Sequence, residues 1–269
     1  PHLVTTKNYQ ACTQLESVET LLKFLRTLYK GKIIIGEGTS IGSTQEAFRN
    51  YKYDSLVEKF NVELFDLNHD EGIPVDAYDK NQKNIKVMIA KTVVDSPYLI
   101  SLSPIKTDNS VILSLSIANT VNGSLLKGNM KNKPGYHNLF RRNFQDYKAA
   151  ISQNPISHNL SIANIIPNIM PDFAILDGFT SMERNGPVGG QIVNTGLALA
   201  GQNPITLDSL AAYLTGFDPG KIGYLHHLET GKLEIKTIGN KISECRIKLR
   251  PPDTLQEQLK WYNTKSNRK

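Results

Sequence analysis

The chain of 269 residues carries only two cysteines, Cys12 and Cys245, and no C-x-x-C pair. Two thiols so far apart in sequence exclude a disulfide framework, and they are too few to hold an iron–sulfur cluster within one chain. Their scarcity favours a reducing, cytoplasmic setting. No apolar run approaches eighteen residues, so no membrane-spanning helix is predicted. The opening "PHLVTTKNYQ" lacks a secretory pattern. It begins on Pro1 and not on Met, which fits a chain whose first residues are missing. There is no internal repeat and no low-complexity linker. Neither sign of charge dominates: 31 Lys and Arg stand against 25 Asp and Glu, for a net charge of +6. An excess of that size favours anionic ligands or nucleic acid only weakly.

What is present is a core-forming sequence, 39% hydrophobic, of a length that suits one large domain or two small ones. "TQLESVETLLKFLRTLYKG" predicts a helix, with Thr13 and Glu16 as a capping box and Gly31 as its stop. "KIIIGEG" reads as a buried strand, and "STQEAF" as a helix opened by Ser43 and Glu46. "NVELFDL" and "IKVMIAKTVVDSPYLISL" supply further strands, "SPIKTDNS" a loop, and "VILSLSIANTVNG" a helix or a strand, with helix favoured. "NLFRRNFQDYKAAIS" and "HNLSIANII" are helical, "DFAIL" and "GLALAG" are strands, "PITLDSLAAYLTG" and "PGKIGYLHHLETG" are helices, and "EIKTIG" is a last short strand. Strands apolar on both faces, alternating with helices, predict an α/β fold with a mostly parallel central sheet covered by helices on both faces. Residues 1–240 are expected to form one such domain, followed by a basic, partly flexible extension over 241–269.

In parallel sheets, ligands bind beyond the carboxyl ends of the strands. Several residues are therefore of chemical interest. The glycines of "GEGTSIGST", Gly36 and Gly38, precede a helix start and are candidates for cradling an anion, although the segment lacks the G-K-[ST] ending of a phosphate loop. Lys106, beside Asp108, is a candidate for holding a carboxylate or phosphate, or for acting as a base if desolvated. His137 lies behind three lysines and is a candidate proton carrier. "LDGFTSMERNGPVGG" is the richest stretch. Asp177 and Glu183 are candidate ligands of a divalent metal or an acid–base pair, and Asn185-Gly186-Pro187 is either a ligand-closing loop or a plain turn. Asp208 falls early in a helix, where the dipole favours an acid. Two stretches concentrate positive charge: "KGNMKNKPGYHNLFRR", with Lys127, Lys131, Lys133, Arg141 and Arg142, and the tail "KWYNTKSNRK".

The segments "GEGT", "SLSPIKT", "VILSLSIANTVNG", "AILDGFTSMERNGPVGG", "GLALAGQNPITLDSLAAYLTGFDPGKI" and "IKTIG" follow one another in an order that resembles the family called domain of unknown function 362. The likeness covers roughly residues 1–240 and is densest over 172–222. It matches the family at Lys106, His137, Asp177, Glu183, Asn185, Gly186 and Asp208. Many members carry an added ferredoxin-like cysteine module, which implies redox or metal chemistry; this chain has no such module. It also has Asp108 where the resemblance implies a histidine, and Ser116 near the place of a lysine.

Two readings follow. In one, the chain is an enzyme for a small anionic substrate, with or without a divalent metal: Lys106 holds the anion, His137 moves a proton, and Asp177 and Glu183 bind the cation or share acid–base work. In the other, it is a non-catalytic binding protein that meets RNA, a ribosomal surface or another protein through its basic loop and tail. The first requires Lys106, His137, Asp177 and Glu183 to converge in one cleft.

Overall fold

A computed structural model describes residues 1–127, 147–228 and 235–260. In chain order the regular elements are α1 (Leu15–Leu28), β1 (Ile33–Glu37), α2 (Thr44–Asn50), α3 (Ser55–Phe60), β2 (Val62–Asp66), β3 (Gly72–Tyr78), β4 (Asn84–Ala90), α4 (Lys91–Val94), β5 (Ile100–Asp108), β6 (Ile112–Ser114) and α5 (Ser116–Ser124). They continue with α6 (Tyr147–Ser152), α7 (Pro155–Ile165), β7 (Phe173–Glu183), β8 (Gln191–Gly201), α8 (Pro204–Leu214), α9 (Gly223–Leu228) and α10 (Leu255–Gln258). Among the described residues no helix is long and apolar enough to cross a membrane.

The α/β class is as expected, but the sheet is mixed. Strands β1 and β2 form a parallel pair, β3 and β4 an antiparallel hairpin, and the largest sheet has four strands in the order β6-β5-β7-β8. Within it only β5 and β7 run parallel; β6 folds back on β5 and β8 folds back on β7. The reason lies in the connections. Hairpin turns return a strand antiparallel to its neighbour, whereas parallel neighbours need a long crossover. The glycine-rich stretch 184–190 and the turn at 109–111 are both short enough to be hairpins.

Two apolar clusters flank this framework. One gathers β4, β5 and β7 with α5, α7, α8 and α9, including Ile105, Leu113, Ile117, Ile162, Leu176 and Leu207. The other lies beneath α1, α2 and α3, where Val18, Leu22, Phe48, Leu56 and Val62 meet Leu102 of β5 and Met182 of β7. Each such side chain contributes roughly 1.5–3 kcal/mol on burial. The two strands β5 and β7 therefore carry one cluster on each face, and polar residues on them have little solvent to face.

Local details refine the sequence reading. Ser43 caps α2 as predicted, accepting the Glu46 N–H at 3.4 Å. Thr13 does not cap α1. Its hydroxyl donates to the Leu102 carbonyl at 2.9 Å and accepts the His2 N–H at 2.8 Å, so it joins the amino-terminal segment to β5. The stretch expected as the loop "SPIKTDNS" is instead the second half of β5, which continues through Pro104 by a register shift against β7. "VILSLSIANTVNG" is a short strand followed by a helix. Residues 235–239 of the predicted "EIKTIG" element form no strand, and Glu234 lies outside the described residues. Part of the carboxyl-terminal region lies against the body: Leu249 and Gln258 are buried, and the Gln258 side chain accepts from Ile112 N and donates to Asp108 O.

Candidate functional site

Among the described residues, the predicted pair Asp177 and Glu183 does not meet. Asp177 lies within β7, not at its end, because the strand runs on to Glu183. Its Oδ2 accepts the Ser17 hydroxyl of α1 at 2.5 Å, and its Oδ1 accepts the Phe179 N–H at 3.1 Å. Glu183, six residues farther along, is about 20 Å away at the rise of a strand. It is committed to Arg250, whose Nε reaches Oε1 at 2.5 Å and whose backbone N–H reaches Oε2 at 2.7 Å. The arginine's hydrogen bonds hold the Glu183 carboxyl below the usual carboxylate range. Asp177 and Glu183 therefore do not converge on a common centre. Among the described residues, no group of three or more His, Cys, Asp and Glu is placed to hold a metal.

The neighbouring candidates have similar local duties. The Asn185 amide brackets Asp253, donating to its carboxylate at 2.7 Å and accepting its N–H at 3.0 Å. At Gly186 a side chain would stand 1.9 Å from the Thr107 carbonyl, so only glycine lets the hairpin close on β5. Asp208 is wholly buried on α8 and accepts from Ser116 N at 3.0 Å, Ser116 Oγ at 2.6 Å and Ile117 N at 3.0 Å. It thus caps the first turn of α5 from another helix, and burial pushes its carboxyl up to about 7. His137 lies outside the described residues.

The glycine loop has the opposite polarity to an anion cradle. Two of its amides are used internally: Thr39 N donates to Thr44 Oγ1 and Ile41 N to Val4 O. Its carbonyls receive lysines. Lys127 Nζ donates to Ser40 O at 2.6 Å and to Gly42 O at 3.3 Å, and Lys148 Nζ donates to Gly38 O. Gly36 is in contact distance of Leu67, and Gly38 sits so close to the Gly123 carbonyl that a side chain would meet it at 2.5 Å. These glycines are explained by packing.

A different polar group is more informative. Lys106 projects from β5 into the interior, 1% exposed, and its ammonium donates to Ala11 O at 2.7 Å. An ammonium has three N–H donors; this is the one hydrogen bond it makes among the described residues. Burial lowers its pKa to about 8, against the opposing influence of Cys12, Asp108 and Glu37. Glu37, at the end of β1, is also 1% exposed. Its Oε2 accepts the Leu3 N–H at 3.0 Å, while Oε1 has no partner among the described residues. Burial raises its pKa, with the charge of Lys148 acting the other way. His2 completes the group. Burial, then the charges of Lys106 and Lys148, push its pKa well down, so the ring is neutral, and its Nδ1 is likewise unpartnered. Buried polar atoms are nearly always paired, so two orphaned atoms beside an under-used buried ammonium are unusual.

Of this group the sequence reading identified only Lys106. Glu37 was visible as an acid between two glycines at a strand end, the same pattern that made Asp177 conspicuous. His2 and Lys148 carry no local motif; they reach the group because the amino-terminal segment and α6 both pack at the carboxyl end of β1.

Thylakoid-associated protein sll1697 of Synechocystis sp. is 23% identical over 192 residues, an alignment that covers 71% of this chain and 54% of that protein. The chain thus spans about half the length of this relative. Among solved structures, the lactate racemase apoprotein from Thermoanaerobacterium thermosaccharolyticum is similar with a TM-score of 0.43 and 17% identity, over 74% of this chain and 44% of that one. The model of the domain of unknown function DUF362 matches residues 1–213, and the chain belongs to that family.

Proposed function

We propose that the chain binds a small anion, a carboxylate or a phosphate, at the buried group formed by Lys106, Glu37, His2 and Lys148, and that Lys106 and Glu37 exchange protons with it. The observation that supports this most is the Lys106 ammonium: it is removed from water yet spends one donor on a backbone carbonyl. A bound anion would supply the missing acceptors and stabilise the charged form. Lys106, shifted toward neutrality by burial, would then hold or release a proton near physiological pH, which suits an acid–base role. His2 Nδ1 and Glu37 Oε1 are further polar atoms available to a ligand. The free thiols of Cys12 and Cys245 are consistent with a reducing, cytoplasmic compartment for this activity.

Thermal unfolding in inorganic phosphate, and separately in a small carboxylate such as malonate, tests the reading. Either anion should raise the Tm of the wild-type chain and leave that of Lys106→Met unchanged, with ionic strength held constant. Equal shifts in both proteins would refute it. RNA binding with steep salt dependence and no response to either anion would favour the non-catalytic alternative.

A further inference from the structure

We propose, on the footing that the buried group is an anion site, that Lys106 forms a Schiff base there and that the ligand is a 2-oxo acid, a carboxylate with a carbonyl carbon next to it. A lysine attacks a carbonyl carbon through its nitrogen lone pair, so it reacts as the neutral amine, and desolvation in an apolar interior is one way to obtain that form. A carboxylate partner would work the other way and hold the proton on. Lys106 is placed for attack on both counts. It is 1% exposed, and its single hydrogen bond among the described residues runs to an uncharged acceptor, Ala11 O at 2.7 Å. A neutral amine has two N–H groups and one lone pair. With one N–H on Ala11 O, the lone pair remains available. Burial brings the Lys106 pKa to about 8, so a usable fraction of the amine is free near neutral pH.

The neighbours supply the rest of what such a condensation needs. Glu37 spends Oε2 on the Leu3 N–H at 3.0 Å, and its Oε1 has no partner among the described residues. Burial raises its pKa, which suits a group that must carry a proton to a departing oxygen. Gly123 of α5 borders this carboxylate: a methyl group there would stand 3.7 Å from each oxygen, in ordinary contact, so there is room beside the acid where another residue would put a side chain. Lys148 comes to the same place from α6 and donates to Gly38 O. After burial, its charge and that of Lys106 both act on His2. Two cations allow a division of labour. Lys148 holds the carboxylate of the substrate, and the Lys106 amine meets the carbonyl carbon one bond away.

The step balances without an oxidant, a reductant or a further reactant. The Nζ lone pair bonds to the carbonyl carbon while the π pair moves to the oxygen, which takes the Glu37 proton. Glu37 recovers a proton from Nζ and delivers it again as the C–O bond breaks and water leaves. The product is an iminium ion on Lys106 beside a Glu37 carboxylate, so the charge created at the lysine is matched by the one created at the acid. Inorganic phosphate has no carbonyl carbon and can only occupy the site.

Sodium borohydride reduces an imine to a stable secondary amine, so it tests the proposal on the full chain, with pyruvate and, separately, 2-oxoglutarate as probes. Peptide mass mapping of the wild-type protein should place a reduced adduct on Lys106 with at least one of them, while lactate, which lacks the carbonyl, gives none. Lys106→Met should lose that adduct. Glu37→Gln keeps the amine and should trap more slowly by roughly a hundredfold; trapping at the wild-type rate would overturn the role given to Glu37. The mapping needs no variant to fold. Adducts confined to other lysines, with none on Lys106 from either probe, overturn the Schiff base. If phosphate and malonate still raise the Tm in that case, the anion site stands and only its covalent chemistry falls. If neither anion shifts the Tm and nothing is trapped, both fall together.

Discussion

Substituting Lys106 by methionine probes the central physical claim without any ligand. Burial holds the Lys106 ammonium at about 8 rather than 10.5. Below pH 8 both the folded and unfolded chains carry its proton, and the folded state bears the full cost of a buried charge. Between about 8 and 10.5 the unfolded chain binds more protons than the folded one, so stability rises with pH. At about 1.4 kcal/mol per pKa unit, the contribution over that window is roughly 3 kcal/mol. Methionine fills similar space without charge, but leaves the Ala11 carbonyl without its donor, at a cost of about 1–3 kcal/mol. At pH 7 the two effects nearly cancel, so wild type and Lys106→Met should unfold at similar denaturant concentrations. As pH rises toward 10, wild type should gain on the variant by about 2–3 kcal/mol. Urea unfolding of both proteins at intervals from pH 7 to 10 measures this difference, and the subtraction removes the common titration of tyrosines and surface lysines. A difference that stays flat across the window would show that the buried ammonium carries no such penalty.

Two further substitutions test the frame around this group. Asp208→Ala removes the acceptor for Ser116 N, Ser116 Oγ and Ile117 N, which at about 1 kcal/mol or more per orphaned donor should destabilise the fold by about 3 kcal/mol; amide exchange at the start of α5 should accelerate most, and uniform exchange along the helix would count against the capping role. The sign of its pH dependence is opposite to that of Lys106: with the carboxyl at about 7 instead of 3.8, the folded state holds a proton that the unfolded chain has released, so wild-type stability should fall between about pH 4 and 7, and the variant should lack that limb. Gly186→Ala places a methyl group 1.9 Å from the Thr107 carbonyl; backbone must move, and a loss of about 3 kcal/mol is expected by chemical denaturation, with a cost under ~1 kcal/mol showing that the hairpin relaxes freely.

Much of the scaffold was legible because it is written in local terms. Apolar runs, the Ser43 cap and the hairpin residues around Gly186 act over a few positions, and the strands and most helices lie where these features put them. The strand directions were less legible. An uninterrupted apolar run such as "GLALAG" is read as a strand buried in a parallel sheet, yet the same pattern suits an antiparallel strand with one apolar face and small residues on the other. "SPIKTDN" was read as loop because it is polar, although Thr107 and Lys106 direct hydrogen bonds to the Met182, Arg184 and Ala11 carbonyls within the interior. Those acceptors are 75 to 95 residues away in the chain, and no local rule can see them.

The same distance explains why the intramolecular partners of the conspicuous polar residues could not be foreseen. Glu183, Asn185 and Asp208 each sit where a ligand-binding residue would sit, at a strand end, a glycine turn and a helix start. Each is nonetheless claimed by the chain itself: Glu183 by Arg250, Asn185 by Asp253, Asp208 by the first turn of α5. A carboxylate that already receives three donors gains little from a ligand and would have to surrender hydrogen bonds to take one. Residue type and placement therefore nominate a site, but the balance of donors and acceptors decides it. By that balance the weight shifts from the glycine-rich hairpin to the interior beside β1. There, among the described residues, Lys106 has donors to spare, and Glu37 and His2 each present an unpaired atom. A group left incomplete at this depth is costly to the fold, and a ligand that completed it would recover that cost on binding.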